Sequence, residues 1–184
     1  MFCPGSASLA LPEGCKRKVG DSPVNKNNRI LEKAVERALS GEGAHAASLG
    51  IFDGIDWKLA GTRPKGAPHS LFQLLNHVVY WQNWVVMWLG GKTPPIPKHA
   101  SGSWPGKVSP ATKREWQGAV KAFRTGLKAL GRGTRADLLA KHGGKNSLEM
   151  LLAIASHNSY HLGEATLLRQ LLEAWPPPSG GLTW

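Results

Sequence analysis

The sequence has few of the features that mark membrane or secreted proteins. No apolar run in its 184 residues approaches the ~18 residues that a membrane-spanning helix needs. The longest apolar stretch, Leu71 to Leu89, is interrupted by five polar side chains. The two cysteines, Cys3 and Cys15, both lie near the N-terminus, where a disulfide would staple no core. We therefore expect a cytoplasmic protein with no membrane contact.

Acidic residues are scarce as well, since 12 Asp and Glu stand against 23 Lys and Arg, giving a net charge of +11. The imbalance is greatest between Lys98 and Lys145, where eleven basic residues face only Glu115 and Asp137. A basic face of this kind attracts nucleic acid, an anionic membrane or an acidic small molecule. It also keeps a protein soluble without binding anything, and this second interpretation is the one we favour.

The N-terminal segment differs from the rest of the chain. Residues 1–27 begin without a basic region, and their apolar run is short and broken by Pro12. We interpret this segment as a disordered leader and not as a signal peptide. A redox switch made of Cys3 and Cys15 is an alternative role for it. Residues 28–184 then form one domain, because the chain is too short for two ordinary ones.

Apolar residues recur at helical spacing in four segments, and no segment shows a convincing strand pattern. The segments predict an all-α fold, an antiparallel four-helix bundle, with helices near 29–40, 70–89, 111–130 and 147–174. Ser70 and Gln73 have the spacing of a capping box at the start of the second helix. A short helical piece is expected at 44–52 and a connection at 53–68. A long loop is expected at 92–110, anchored by Trp104, and loops of this length are often functional lids or rims.

The last predicted helix carries two histidines, His157 and His161. Residues four apart lie on one face of a helix, so the two imidazoles are able to share one metal ion. Both belong to an apolar stripe with Ile154 and Ala165, which turns them toward the bundle core. The pair is not the metalloprotease motif, because Asn158 stands where that motif needs glutamate.

A third candidate ligand is His77, in the middle of the second predicted helix between Leu74 and Trp81. Facing helices of a bundle build metal sites from such side chains. Three histidines leave one coordination position open, which is the arrangement of catalytic zinc sites. A lone core histidine bonded to a carbonyl is the alternative interpretation of His77.

These residues resemble the DinB/YfiT superfamily. The resemblance covers about residues 29–184 and rests on Leu75-Asn76-His77, on the His157-x3-His161-x-Gly163 signature, and on the tail that begins at Trp175. It implies a four-helix bundle in which His77, His157 and His161 bind a divalent metal, zinc or nickel. The position after Gly163 is often glutamine in that family, and here it is Glu164.

The departure at Glu164 leaves three roles open for this residue: an acceptor behind a metal ligand, a catalytic base, or a solvated charge. His45, in a glycine-rich segment, and Tyr160, within the histidine motif, are further candidates for lining the site. His69 is expected at the entry of the second helix beside its cap. Trp81, Trp84, Trp88 and Trp116 either wall a pocket or belong to the core, and we favour the core.

The resemblance implies an enzyme of the thiol-transferase type, with bacillithiol, mycothiol or glutathione as the low-molecular-weight thiol and a small electrophile as the substrate. A metal ion lowers the pKa of a bound thiol or of bound water, so hydrolysis is a related possibility. One alternative is a non-catalytic metal-binding protein of the stress response. Nucleic-acid binding by the basic face is less favoured, because no reading motif is present. A homodimer remains open.

Overall fold

The computed structural model describes residues 23–135, 137–139 and 141–181. Within these ranges the chain forms five α-helices and a two-stranded hairpin. The helices are α1 (Pro23–Ser40), α2 (Trp57–Ala60), α3 (Leu71–Leu89), α4 (Lys113–Gly133) and α5 (Ser147–Leu171), and the strands are β1 (Lys141–His142) and β2 (Lys145–Asn146). Four of the helices are long, so the predicted all-α bundle is confirmed.

The first helix begins earlier than the sequence predicted. It starts at Pro23, five residues before the expected cap Asn28, so the predicted boundary after residue 27 lies inside α1. Proline is readily accepted at the first position of a helix, because its missing N–H has no partner there in any case. The rest of the predicted leader, with Cys3 and Cys15, lies outside the described residues.

Side-chain caps determine where the other long helices begin. Ser70 and Gln73 form the predicted capping box of α3. Asn146 and Glu149 form a second capping box at α5. Helix α4 begins two residues later than predicted, because the Thr112 side chain accepts a hydrogen bond from the backbone N–H of Glu115 and caps it.

The end of α5 and several connections also depart from the prediction. Helix α5 ends at Leu171 and not near 174, because the chain turns through a positive φ of 56° at Glu173 before the proline run. The helical piece expected at 44–52 is a short 3₁₀ turn, Ser48–Gly50, and the connection at 53–68 contains α2. The hairpin was missed because each of its strands has two residues, joined by glycines at positive φ.

The four long helices do not simply alternate in direction. Phe72 shares a core cluster with Trp116, and a side chain at Gly133 would meet Leu89, so α3 and α4 run the same way. The chain therefore needs a long return segment, residues 90–112. Its carbonyl groups accept hydrogen bonds from successive turns of α3 in reverse order, in the pairs Pro95 with Trp84, Ser103 with His77, Pro105 with Gln73, and Val108 with Ser70.

The interior divides into two apolar clusters. One surrounds Leu74 and Phe123 near the start of α3, and the other surrounds Val85 and Ile154 nearer its end. Between them in the sequence of α3 and α5 lie Gln82 and Asn158, which are 0% and 1% exposed. The side-chain amide atoms of both residues have no hydrogen-bond partner among the described residues, so the core contains two buried polar side chains.

A buried arginine connects the end of the chain to the segment before α2. Arg169, 2% exposed, donates hydrogen bonds to the backbone carbonyls of Ile51, Asp53 and Ala174. Its pKa is lowered by burial, the largest cause, and raised by nearby Asp53. A single side chain thus supplies hydrogen-bond donors to three carbonyl groups that lie outside the helices.

Across the described ranges, the helices are too short or too polar to traverse a lipid bilayer.

Candidate metal centre

Three histidines from two helices meet inside the bundle. His157 and His161 project from one face of α5, and α3 packs against this face with His77. One ligand nitrogen from each of the three lies within 4.8 Å of the others. The Nε2 atoms of His77 and His157 are 3.2 Å apart, close to the roughly 3.3 Å expected between two nitrogens that bind one tetrahedral metal ion at ~2.0–2.1 Å.

Burial keeps two of these imidazoles uncharged. The pKa of His77 is lowered to about 4, first by burial, while its bond to the Ser103 carbonyl opposes the shift. The pKa of His157 is also lowered to about 4, first by burial and then by His161 and His77. Because the neutral imidazole is the form that binds metal, both side chains are ready ligands at neutral pH. The donor set therefore fits a divalent ion.

Hydrogen bonds behind the cluster fix two of the three rings. The Nδ1–H of His77 donates to the carbonyl oxygen of Ser103 at 3.2 Å, and the Nδ1–H of His161 donates to Glu164 at 2.7 Å. In the neutral form of either ring this places the free lone pair on Nε2, the arrangement by which a histidine binds metal. Nδ1 of His157 is buried and has no such partner among the described residues.

An indole covers one side of the cluster. Trp104, from the return segment, stacks on His77 with ring centroids 3.9 Å apart and on the opposite side lies 3.7 Å from His69. The sequence suggested that Trp104 anchors the long loop, but no local pattern indicated this contact. Ser103 and Trp104 are about 26 positions from His77 along the chain, so only the tertiary fold brings them to the site.

The other predicted candidates lie around the cluster and not in it. His45 bonds to the Ser159 hydroxyl at 3.0 Å and to the Ala46 carbonyl at 2.9 Å. Tyr160 is 66% exposed, and its ring lies 5.0 Å from that of His161. Of the three roles open for Glu164, its contact with His161 is that of an acceptor behind a ligand.

The four tryptophans considered in the sequence differ in burial. Trp116 and Trp88 are buried, which agrees with the core interpretation, whereas Trp81 and Trp84 are partly buried and pack against the second apolar cluster. Trp81 also lies 6.3 Å from the His157 ring. Within the described residues, it is the one of these four tryptophans with a ring contact to the histidine cluster.

A helix bundle with three converging histidines is the class that the fold and the site define. Residues 42–165, about two thirds of the chain, match the family model of the DinB superfamily. The chain belongs to this superfamily. All three histidines fall inside the matched range. No curated protein and no solved structure matches the chain.

Proposed function

We propose that this protein is a metal-dependent enzyme in which His77, His157 and His161 hold one divalent ion, zinc or nickel, and a small thiol reacts with an electrophile. The convergence of the three ligand nitrogens within 4.8 Å carries the proposal. In the described part of the chain, no fourth His, Cys, Asp or Glu joins this group. Three protein ligands leave a position for substrate, whereas structural zinc sites are closed by four.

The reaction class follows from this open position. When bound, a divalent ion lowers the pKa of a thiol or of water and so supplies a nucleophile at neutral pH. In thiol transfer, the sulfur forms a bond to an electrophilic carbon. The leaving group departs with its bonding electrons, and the thiol proton is released to solvent.

The protein's own residues prepare the ligands for this chemistry. Glu164 and the Ser103 carbonyl hold His161 and His77 by their Nδ1–H groups, which directs the Nε2 lone pairs inward. Trp104 covers the face of His77 and excludes water from that side. A dry environment strengthens every charge interaction with a reacting sulfur.

A cavity of about 360 Å³ lies beside Glu164, the residue that is hydrogen-bonded to His161, and none of the three histidines is among its lining residues. Its wall includes His69 and Glu164, and its apolar side is formed by Leu74, Leu167, Leu168 and Leu171. Leu167 and Leu171 are each 56% exposed and so offer apolar surface to a ligand. This lining suits an electrophile with an apolar body, and Lys65 at the rim suits a carboxylate on the substrate.

Metal content of the purified protein tests the centre. We expect about one zinc or nickel ion per chain by mass spectrometry, and loss of this ion in His77→Ala, His157→Ala and His161→Ala. The exposed loop residue His99 provides the matched control, because His99→Ala removes a histidine away from the cluster. A wild-type protein that is folded, free of metal and unable to take it up would refute the proposal.

Activity is tested separately on the metal-loaded protein. We expect thiol-dependent consumption of monochlorobimane or a chloro-dinitro-aromatic, with glutathione, bacillithiol and mycothiol compared. Ester hydrolysis without added thiol would instead indicate activated water. If metal is bound but neither reaction occurs, and metal removal lowers only stability, the protein is the non-catalytic metal-binding alternative.

A further inference from the structure

A second concave site lies on the outer face of α4. A groove of about 600 Å³ separates α4 from the segment 52–57, and none of the three histidines lines it. Its volume is in the range of small-molecule sites. The charged residues that line it are Lys113, Lys121, Arg124 and Lys128, against Asp53 and Asp56.

Both carboxylates in the groove already have partners. Asp53 forms an ion pair with Arg124, and Asp56 accepts a hydrogen bond from the backbone N–H of Lys58 as the cap of α2. Lys121 and Lys128 flank the Arg124–Asp53 pair and form no ion pair within the described ranges. They are seven residues apart, so they share a face of α4 at a separation of about 10.5 Å along its axis.

The wall opposite α4 is held in place by buried donors. Arg169 donates to the carbonyls of Ile51 at 2.6 Å and Asp53 at 2.8 Å, and the indole N–H of Trp116 donates to Ile55 at 3.1 Å. The groove therefore exists before any ligand enters, and binding does not require a loop to become ordered. A solvated helix face needs no such opposing wall.

We propose that this groove binds a small multivalent anion of the polyphosphate class, with Lys121 and Lys128 as its principal contacts. Two unpaired ammonium groups on one helix face match a ligand that carries several negative charges. A nucleic-acid strand is less well matched, because Trp116 is buried and Trp57 is partly buried against the core. The groove therefore offers little aromatic surface for the stacking of successive bases.

Calorimetric titration of the full chain with inorganic tripolyphosphate tests this site. We expect wild type to bind and the double variant Lys121→Gln/Lys128→Gln to bind about tenfold more weakly. Each exposed charge contact contributes up to roughly fivefold, and the double variant removes two of them. The matched control is Arg114→Gln/Arg132→Gln, which removes the same charge from α4 at exposed positions outside the groove. It should bind as wild type does, and both variants should keep the wild-type metal content.

Three results would overturn the proposal. The first is the absence of any heat of binding when wild type is titrated at low salt, which would show that the groove does not bind this ligand. The two double variants could lose affinity equally, which would show a response to net charge alone. Tighter binding of a 15-nucleotide single strand than of tripolyphosphate, again with equal losses, would assign the basic face to nucleic acid. Failure of the metal centre would leave all three measurements interpretable.

Discussion

Two substitutions of Glu164 test how the bundle positions His161 in the proposed metal centre. The Glu164 carboxylate accepts the Nδ1–H of His161 at 2.7 Å, while its side chain is 39% exposed. Removing an acceptor behind a metal-binding histidine costs ~10–100-fold in metal affinity. Because Glu164 is partly open to solvent, we expect Glu164→Leu to fall near the lower value, about tenfold or ~1.4 kcal/mol.

Glu164→Gln separates hydrogen bonding from charge. The amide oxygen still accepts the His161 proton, so we expect metal affinity within about threefold of wild type, since screening weakens exposed charges. Both variants are measured by competition for zinc against a chromophoric chelator, starting from metal-free protein. Glu42→Gln and Glu42→Leu are the matched controls, because Glu42 is an exposed glutamate paired with Arg37.

Three results would contradict this reasoning. If Glu164→Leu binds zinc as tightly as wild type, the contact with His161 does not orient the ring for metal binding. If Glu164→Gln is instead as weak as Glu164→Leu, the carboxylate charge and not the hydrogen bond is what matters. A loss shared by the Glu42 variants would show that net charge alone governs the affinity.

Three further predictions concern burial. Trp104→Ala should raise the pKa of His77 from about 4 toward 6.5, because burial is the main cause of the lowering; NMR titration of the metal-free protein checks this, and an unchanged pKa contradicts it. Between about pH 6.5 and 4, the unfolded chain binds protons at His77 and His157 that the folded chain does not. The free energy of unfolding of the metal-free protein should therefore fall as pH decreases through this window, and a flat profile in urea titrations would count against it. Arg169→Met should cost about 3 kcal/mol or more, because it leaves buried carbonyl groups unpaired, whereas an unchanged urea midpoint would show that they find other partners.

The sequence predicted the parts of the fold that local signals control. The Ser70–Gln73 capping box and the glycines after Leu89 mark α3, and its observed bounds agree within a residue. The start of α1 and the end of α5 were misplaced, because Pro23 and Glu173 act through backbone geometry that apolar spacing does not record. Helix α2 was missed because four residues carry too little periodicity to detect.

The sequence also predicted only part of the candidate site. The three histidines were found from their spacing and their positions on apolar faces, together with the family resemblance, and the structure brings them together. Ser103 and Trp104 were not found as parts of the site. Each depends on a contact between segments far apart in the chain, which no pattern within one helix encodes.

The parallel course of α3 and α4 has a consequence for how this scaffold can change. A bundle of alternating helices would join them by a tight turn, but here the chain must travel back along α3, and this return segment brings Ser103 and Trp104 over His77. The helices that carry the imidazoles and the cover above them are thus separate parts of the chain. A substitution at Ser103 or Trp104 therefore changes the cover of His77 without changing any residue of the helices that carry the three imidazoles.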